Sequence, residues 1–183
     1  MLTLYHGLAS TCSKKVRMCL EEKGLEWESR LLNLQKFEQH DPEYLKLNPK
    51  GVVPTLVHDG KPVCESTYII DYLEAEFPEP SLTPADPQSA ARMKEWEKWS
   101  DDVGYAAVYV PTWNKLSKPV AEKFSDEELE TIVGRVPTEE RRQRWKQVAR
   151  GGFSGEELEK AYDQMRLTFA RMEEALGNGD YLA

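Results

Sequence analysis

No run of about 18 consecutive apolar residues occurs in the 183-residue chain, so nothing in it reads as a bilayer-spanning helix. Histidine is scarce, at three, and the three cysteines, Cys12, Cys19 and Cys64, share no paired spacing. A zinc or haem site therefore has no cluster to draw on, and a disulfide framework has no even set of thiols. The residue three positions beyond Cys12 is Lys15, which excludes a C-x-x-C dithiol centre. Positive charge is in deficit: 24 Lys and Arg against 32 Asp and Glu leave a net charge of −8. That balance works against attraction to phosphate backbones or anionic membranes. Internal repeats and low-complexity tracts are missing, and the N-terminus lacks the basic-then-apolar pattern of a secretory signal. The expectation is a cytoplasmic protein with reduced thiols, no metal, no nucleic-acid partner and no membrane association.

What is present is an alternation of strand and helix signals, the pattern of an α/β layer structure. Leu2 to Tyr5 read as a short buried strand. Ser13 to Lys23 read as a helix with Val16, Cys19 and Leu20 on one face, closed by Gly24. Trp27 to Leu32 form a second strand signal, and "DPEYLKLNP" a short helix begun near Pro42 and stopped at Asn48-Pro49. Thr55 to His58 and Pro62 to Cys64 flank Asp59-Gly60, a dipeptide suited to a two-residue hairpin. Glu65 or Ser66 then caps a helix through Ile69, Ile70, Tyr72 and Leu73 to Phe77. The predicted order is β-α-β-α-β-β-α, with parallel strands first and an antiparallel hairpin last.

Beyond this unit, "PEPSLTPADPQ" concentrates four prolines and marks a linker. The resulting map is a domain over 1–78, a linker over 79–87 and an all-helical domain over 88–183. Within the latter, Pro111 predicts a bend in one long helical segment. Ser125 caps "SDEELETIVGRV", and "SGEELEKAYDQMRLTFARMEEALGNG" is an amphipathic helix ending at glycines. The charged runs "EERRQRWK" and "SDEELE" read as solvated helix faces.

Chemistry concentrates in "LASTCSKKVRMCLEEKG", where Ser10, Thr11, Cys12 and Ser13 occupy the turn from the first strand into the first helix. The start of a helix leaves backbone donors unpaired at the positive end of its dipole, which stabilises an anion such as a thiolate. Two readings fit. In one, Ser10 or Thr11 donates a hydrogen bond to the thiolate of a bound thiol; in the other, Cys12 is itself the thiolate and forms a mixed disulfide. Plain helix capping by Ser or Thr competes with the first, and Cys19 reads as a small core residue. "GVVPTL" is compatible with a cis peptide before Pro54 or with a trans proline opening a strand. In "ESTYIIDYL", Glu65 and Ser66 offer donors to a ligand carboxylate or serve only as a cap.

Taken in order, the "STCS" turn, "NPKGVVPTL", the hairpin, "ESTYIIDYLE", the Pro-rich linker and the helical remainder resemble a glutathione transferase across essentially the whole chain. The fold this implies is a thioredoxin-like N-terminal domain followed by an all-helical domain. The resemblance makes Ser10 the hydroxyl that stabilises the glutathione thiolate, with Thr11 beside it. Cys12 stands where cysteine-type members keep a thiol able to bond glutathione. Val53 is the residue whose backbone pairs with the cysteinyl moiety, Pro54 the cis-proline, and Glu65 and Ser66 the pair holding the γ-glutamyl group. His40 lies in the loop where relatives place a basic residue near the glycine carboxylate; a solvated loop histidine is the competing reading.

The segments "KFEQHDPEYLKLNPKG", "ADPQSAARMKEWEKWSDD" and "EKFSDEELE" resemble the bacterial β-etherase branch, whose members use glutathione to cleave β-aryl ethers of lignin fragments. "STCSKKVR" is closer to the zeta-type and dehalogenase-like turn. The implied activity is attack by the glutathione thiolate on an apolar, aromatic electrophile, with Tyr105, Tyr109 and Trp113 as pocket residues and a homodimer as the assembly. The alternatives are a Cys12-dependent thiol transfer or reductive dehalogenation, and a non-catalytic binding module. Members usually continue past a "G-x-Y-L-A" stretch into further core helices, whereas this sequence stops at "GDYLA". An incomplete helical domain with uncovered apolar surface is therefore expected.

Overall fold

A computed structural model describes residues 1–179 and 181–182. They divide into two compact units, one from Met1–Leu82 with Thr131–Arg142, the other from Thr83–Glu130 with the stretch beginning at Gln143.

The first unit is built on a four-stranded sheet in the order β2-β1-β3-β4. Its strands are β1 (Leu2–His6), β2 (Trp27–Leu31), β3 (Thr55–His58) and β4 (Lys61–Cys64). Strand β1 pairs parallel with β2 and antiparallel with β3, and β3 antiparallel with β4. The Asp59-Gly60 hairpin turn has φ of 48° and 81°, the left-handed pair that matches strand twist in a two-residue loop. Helices α1 (Thr11–Glu22), α2 (Pro42–Leu47) and α3 (Ser66–Glu76) complete the thioredoxin-like β-α-β-α-β-β-α order. Leu2, Leu4, Val16, Cys19, Leu20, Leu56, Val63, Ile69 and Leu73 form one apolar core. Each is supplied by the period-2 face of a strand or the 3.6-period face of a helix.

Lys23 closes α1 with its ammonium fully withdrawn from solvent, 3.0 Å from the Glu74 carboxylate and 2.7 Å from the Pro80 carbonyl. Glu74 also accepts from the Leu82 amide at 3.0 Å. This one cation thus joins α1, α3 and the Pro-rich segment. From the later part of the sequence, Val133 and Val136 are buried, and Arg135 pairs with Asp41.

The second unit is helical: α4 (Pro87–Trp99), α5 (Tyr105–Thr112), α6 (Lys118–Ala121), and α9 (Gly155–Gly177), with α7 (Asp126–Gly134) and α8 (Glu139–Arg150) each divided between the units. Pro111, where the sequence predicts a bend, lies inside α5, and π-helical turns stand on either side of that helix at Ser100–Gly104 and Trp113–Ser117. A widened turn accommodates a ladder that proline interrupts without ending the helix. Helix α9 opens on a capping box between Ser154 and Glu157. Arg171 lies over the rings of Trp96 and Trp99, at 4.4 and 4.5 Å. Tyr162, Leu167, Phe169 and Leu176 of α9 are exposed. Asp180 and Ala183 of the terminal "GDYLA" lie outside the described residues.

Candidate functional site

The strand register brings three separate sequence segments to one end of the sheet. Tyr5 is paired with Thr55, and Thr55 with Cys64. The chain leaving β1 toward Ser10, the chain entering β3 through Val53-Pro54, and the chain leaving β4 into Glu65-Ser66 are therefore neighbours. Lys15 of α1 reaches Thr67 of α3 at 2.8 Å, so the opening turns of the two helices are also tied together.

Ser10 is the N-cap of α1, and its Oγ accepts from the Ser13 amide at 3.1 Å. Among the described residues the Ser10 hydroxyl donates to nothing, so its proton remains available while a lone pair caps the helix. Ser13 is buried, and its Oγ accepts from the Gly7 amide at 3.2 Å. Thr11 is exposed, and Cys12 is partly exposed in the first helical turn. Cys19, by contrast, is buried, and burial raises its thiol above the ordinary range.

The Val53–Pro54 peptide is cis. A buried polar network supports it from behind. Asn48 Nδ2 donates to the Val52 carbonyl and to Thr55 Oγ1, both at 3.0 Å, and Asn48 Oδ1 accepts from the Lys50 amide at 3.1 Å. The Tyr44 hydroxyl donates to the same Val52 carbonyl and, its one proton so used, accepts from Thr55 Oγ1 at 2.8 Å; burial pushes its pKa up to about 12. With the Val52 carbonyl turned inward, Val53 presents an amide and a carbonyl that have no hydrogen-bond partner among the described residues. That edge can pair with an extended peptide.

Glu65 precedes α3 at φ 69° and makes no side-chain cap. Its side chain therefore leaves the first amides of α3, at the positive end of the helix, uncapped. Its carboxylate is paired with Lys50 at 2.6 Å, and this hydrogen bond and charge raise the Lys50 ammonium above its ordinary pKa. Lys50 is a further candidate at this site, beyond the residues that the sequence motifs point to. Its signal was the basic residue inside "NPKGVVP", directly before the cis turn.

His40 is not a solvated loop residue: its ring is 2% exposed and packs against Phe37 and Gly51. Neither ring nitrogen has a side-chain hydrogen-bond partner among the described residues, and the Gly51 backbone beside the ring opposes the lowering of its pKa. Burial, reinforced by the charges of Arg141 and Arg135 and opposed by Asp41, lowers its pKa to about 4, so it is neutral at pH 7.

Tyr105, Tyr109 and Trp113 belong to the second unit. Tyr105 stacks on Tyr109 at 5.4 Å, and tilted ring contacts continue from Tyr109 to Trp113 at 5.0 Å and from Trp113 to the buried Trp145 at 4.8 Å. They form an aromatic row that ends in the core at Trp145 and emerges at the 45%-exposed Tyr105. No group of side chains able to hold a metal ion occurs among the described residues, and no helix there is long and apolar enough to cross a membrane.

Residues 4–81 match the family model described as "Glutathione S-transferase, N-terminal domain". Protein LigF of Sphingobium sp. is 43% identical over 99% of this chain and 71% of its own length. The crystal structure of β-etherase LigF superposes with a TM-score of 0.92, covering 99% of this chain and 75% of that one. Maleylacetoacetate isomerase of Pseudomonas aeruginosa is 43% identical over 94 residues, half of this chain and 44% of that protein.

Proposed function

Because the chain belongs to the glutathione S-transferase family and is an enzyme with glutathione as its cosubstrate, we propose that it transfers the glutathionyl group to an apolar aromatic electrophile, with β-aryl ethers as the substrate class. The observation that carries this reading is the Ser10 hydroxyl, which caps α1 through Oγ and keeps its proton to donate to a sulfur anion at the helix start. The ether class is supported by the 43% identity to LigF, whose solved structure is that of a β-etherase, across 99% of this chain.

When bound, glutathione supplies a thiolate that forms a C–S bond to the ether carbon as the C–O bond breaks and an aryl oxide leaves. The residues of this chain bind and orient. Ser10 holds the sulfur as an anion, aided by the dipole of α1. The Val53 amide and carbonyl, unpaired within the described residues, hold the cysteinyl backbone in antiparallel fashion. Glu65 takes the γ-glutamyl amine, exchanging its partner Lys50 for the ligand, while the Ser66 hydroxyl and the α3 amides take the carboxylate. Thr11 borders the same turn. Tyr105, Tyr109 and Trp113 offer ring faces to the aromatic electrophile. A homodimer is the proposed assembly, and the cytoplasm the proposed location.

The test compares Ser10→Ala with Cys12→Ala in glutathione thiolate absorbance and in turnover of a model β-aryl ether. Ser10→Ala lowers turnover about 100-fold or more on this reading, and Cys12→Ala leaves it within about twofold. The reverse ranking would transfer the role to the thiol and make the chemistry disulfide exchange or reductive dehalogenation. Absence of glutathione binding by the unsubstituted protein would leave only a binding module.

A further inference from the structure

Beneath the Ser10 turn, groups from β1, β2 and α1 are joined through one cation. His6, the last residue of β1, is 5% exposed. Arg17 Nη1 lies 3.0 Å from His6 Nδ1 and 3.4 Å from the Gly7 carbonyl oxygen. A guanidinium only donates, so Nδ1 must accept and carry no proton. The single ring proton is then on Nε2, which donates to Ser29 Oγ at 2.8 Å. Burial and the Arg17 charge both hold His6 below its ordinary pKa, consistent with that neutral tautomer.

The Gly7 peptide groups carry the connection forward. The Gly7 carbonyl that receives Arg17 also accepts from the Ser10 amide at 3.2 Å, and the Gly7 amide donates to Ser13 Oγ at 3.2 Å. A Cβ at Gly7 would stand 2.6 Å from Leu34 Cδ1, so any larger residue there requires the Leu34 side chain to move. The guanidinium is therefore one carbonyl oxygen away from the amide of Ser10. We infer that Arg17 is a positioning residue for the Ser10 hydroxyl, acting through the Gly7 carbonyl and braced from behind by neutral His6 and Ser29. The inference rests on the reading in which Ser10 holds the glutathione sulfur.

Two physical effects follow from the placement. The bridge fixes the turn, so the Ser10 hydroxyl is held where the sulfur anion forms rather than sampling rotamers. The partly buried cation also favours a negative charge over a neutral thiol at the turn. Lys15, another cation early in α1, reaches across the helices to Thr67, and Arg17 is bonded to the turn itself through the Gly7 carbonyl.

The experiment titrates the thiolate absorbance of bound glutathione and measures kcat and KM with a model aryl halide in Arg17→Met, Arg17→Lys and Ser29→Ala. In Arg17→Met the bound thiol pKa rises by about one unit and kcat below that pKa falls about tenfold. KM for glutathione changes less than about twofold, because the residues proposed to bind the peptide are untouched. Arg17→Lys, which keeps a charge and donors, restores most of the loss, and Ser29→Ala shifts the pKa in the same direction by less. An Arg17→Met protein with an unchanged thiol pKa and kcat, or one altered only in melting temperature, overturns the inference. Should Arg17→Met fail to fold, Ser29→Ala decides, and a thiol pKa equal to that of the unsubstituted protein overturns it. Ser10→Ala run in parallel separates the levels. No effect there removes the underlying reading, whereas an effect there with none in the Arg17 variants removes the positioning role alone.

Discussion

Acidification tests the burial of His40 directly. In the unfolded chain this imidazole titrates near its ordinary value of 6.5; in the folded protein burial, Arg141 and Arg135 bring it to about 4. Between those values the unfolded state binds the proton and the folded state does not, so stability falls as pH drops from about 6.5 toward 4. Below about 4 both states are protonated and the loss is complete. The gap of about 2.5 pH units corresponds to about 3 kcal/mol, a large share of the stability of an ordinary domain.

The assay is urea unfolding by circular dichroism at pH 7, 6, 5 and 4, for the unsubstituted protein and for His40→Gln. The variant loses stability at pH 7 by an amount that does not titrate through this residue. His6, whose pKa is also held down, and the carboxylates of Asp59, Asp86 and Glu157, held below their ordinary values by hydrogen bonds, contribute to both proteins alike. The stability difference between the two proteins therefore shrinks by about 3 kcal/mol from pH 7 to pH 4. Parallel pH profiles, with a constant difference, would refute the claim that a neutral buried imidazole is held against the Arg135 and Arg141 charges.

Two further perturbations probe the scaffold. Lys23→Met removes the buried cation 3.0 Å from the Glu74 carboxylate and costs about 3 kcal/mol in urea unfolding; pairing it with Glu74→Leu recovers most of that loss, because both charges of the pair then leave the site together. Gly51→Ala places a Cβ 2.8 Å from His40 Cδ2 and 3.2 Å from the Gln39 carbonyl at φ +61°, whereas Gly24→Ala meets nothing within 4 Å at φ +62°. The first is expected to lower thermal stability by about 2 kcal/mol more than the second, since only it adds a clash to the same backbone penalty.

The elements that local chemistry specifies were legible in the sequence. Asp59-Gly60 encodes a hairpin because both residues tolerate positive φ, Ser154 with Glu157 encodes a helix start, and period-2 and period-3.6 apolar positions encode the core of the first unit. The features set by distant residues were not. Nothing in "FEQHDP" distinguishes a buried imidazole from a solvated one, because Arg135, which pairs with neighbouring Asp41, lies 94 positions away. The π-helical turns around Pro111 escaped for a related reason. A proline announces a break in the ladder, but neighbouring packing decides whether the helix bends, ends or widens. His6 and Arg17 each look ordinary alone; their meeting depends on the first turns of α1 lying over the end of β1.

The capping and chemical readings of Ser10 are not rivals. A hydroxyl has one proton and two lone pairs. The Ser13 amide uses a lone pair, and capping fixes the oxygen at the helix start without consuming the donor. A cap that is also a donor is preorganised, since the bond that stabilises α1 orients the group proposed to meet the sulfur. The same economy holds for the sheet. One row of paired residues, Tyr5, Thr55 and Cys64, places the ends of three chain segments side by side. A slip of one residue in that register would turn Leu4 and Leu56 out of the core as it displaced the Val53 and Glu65 turns. Selection for a buried core therefore also holds the site in alignment.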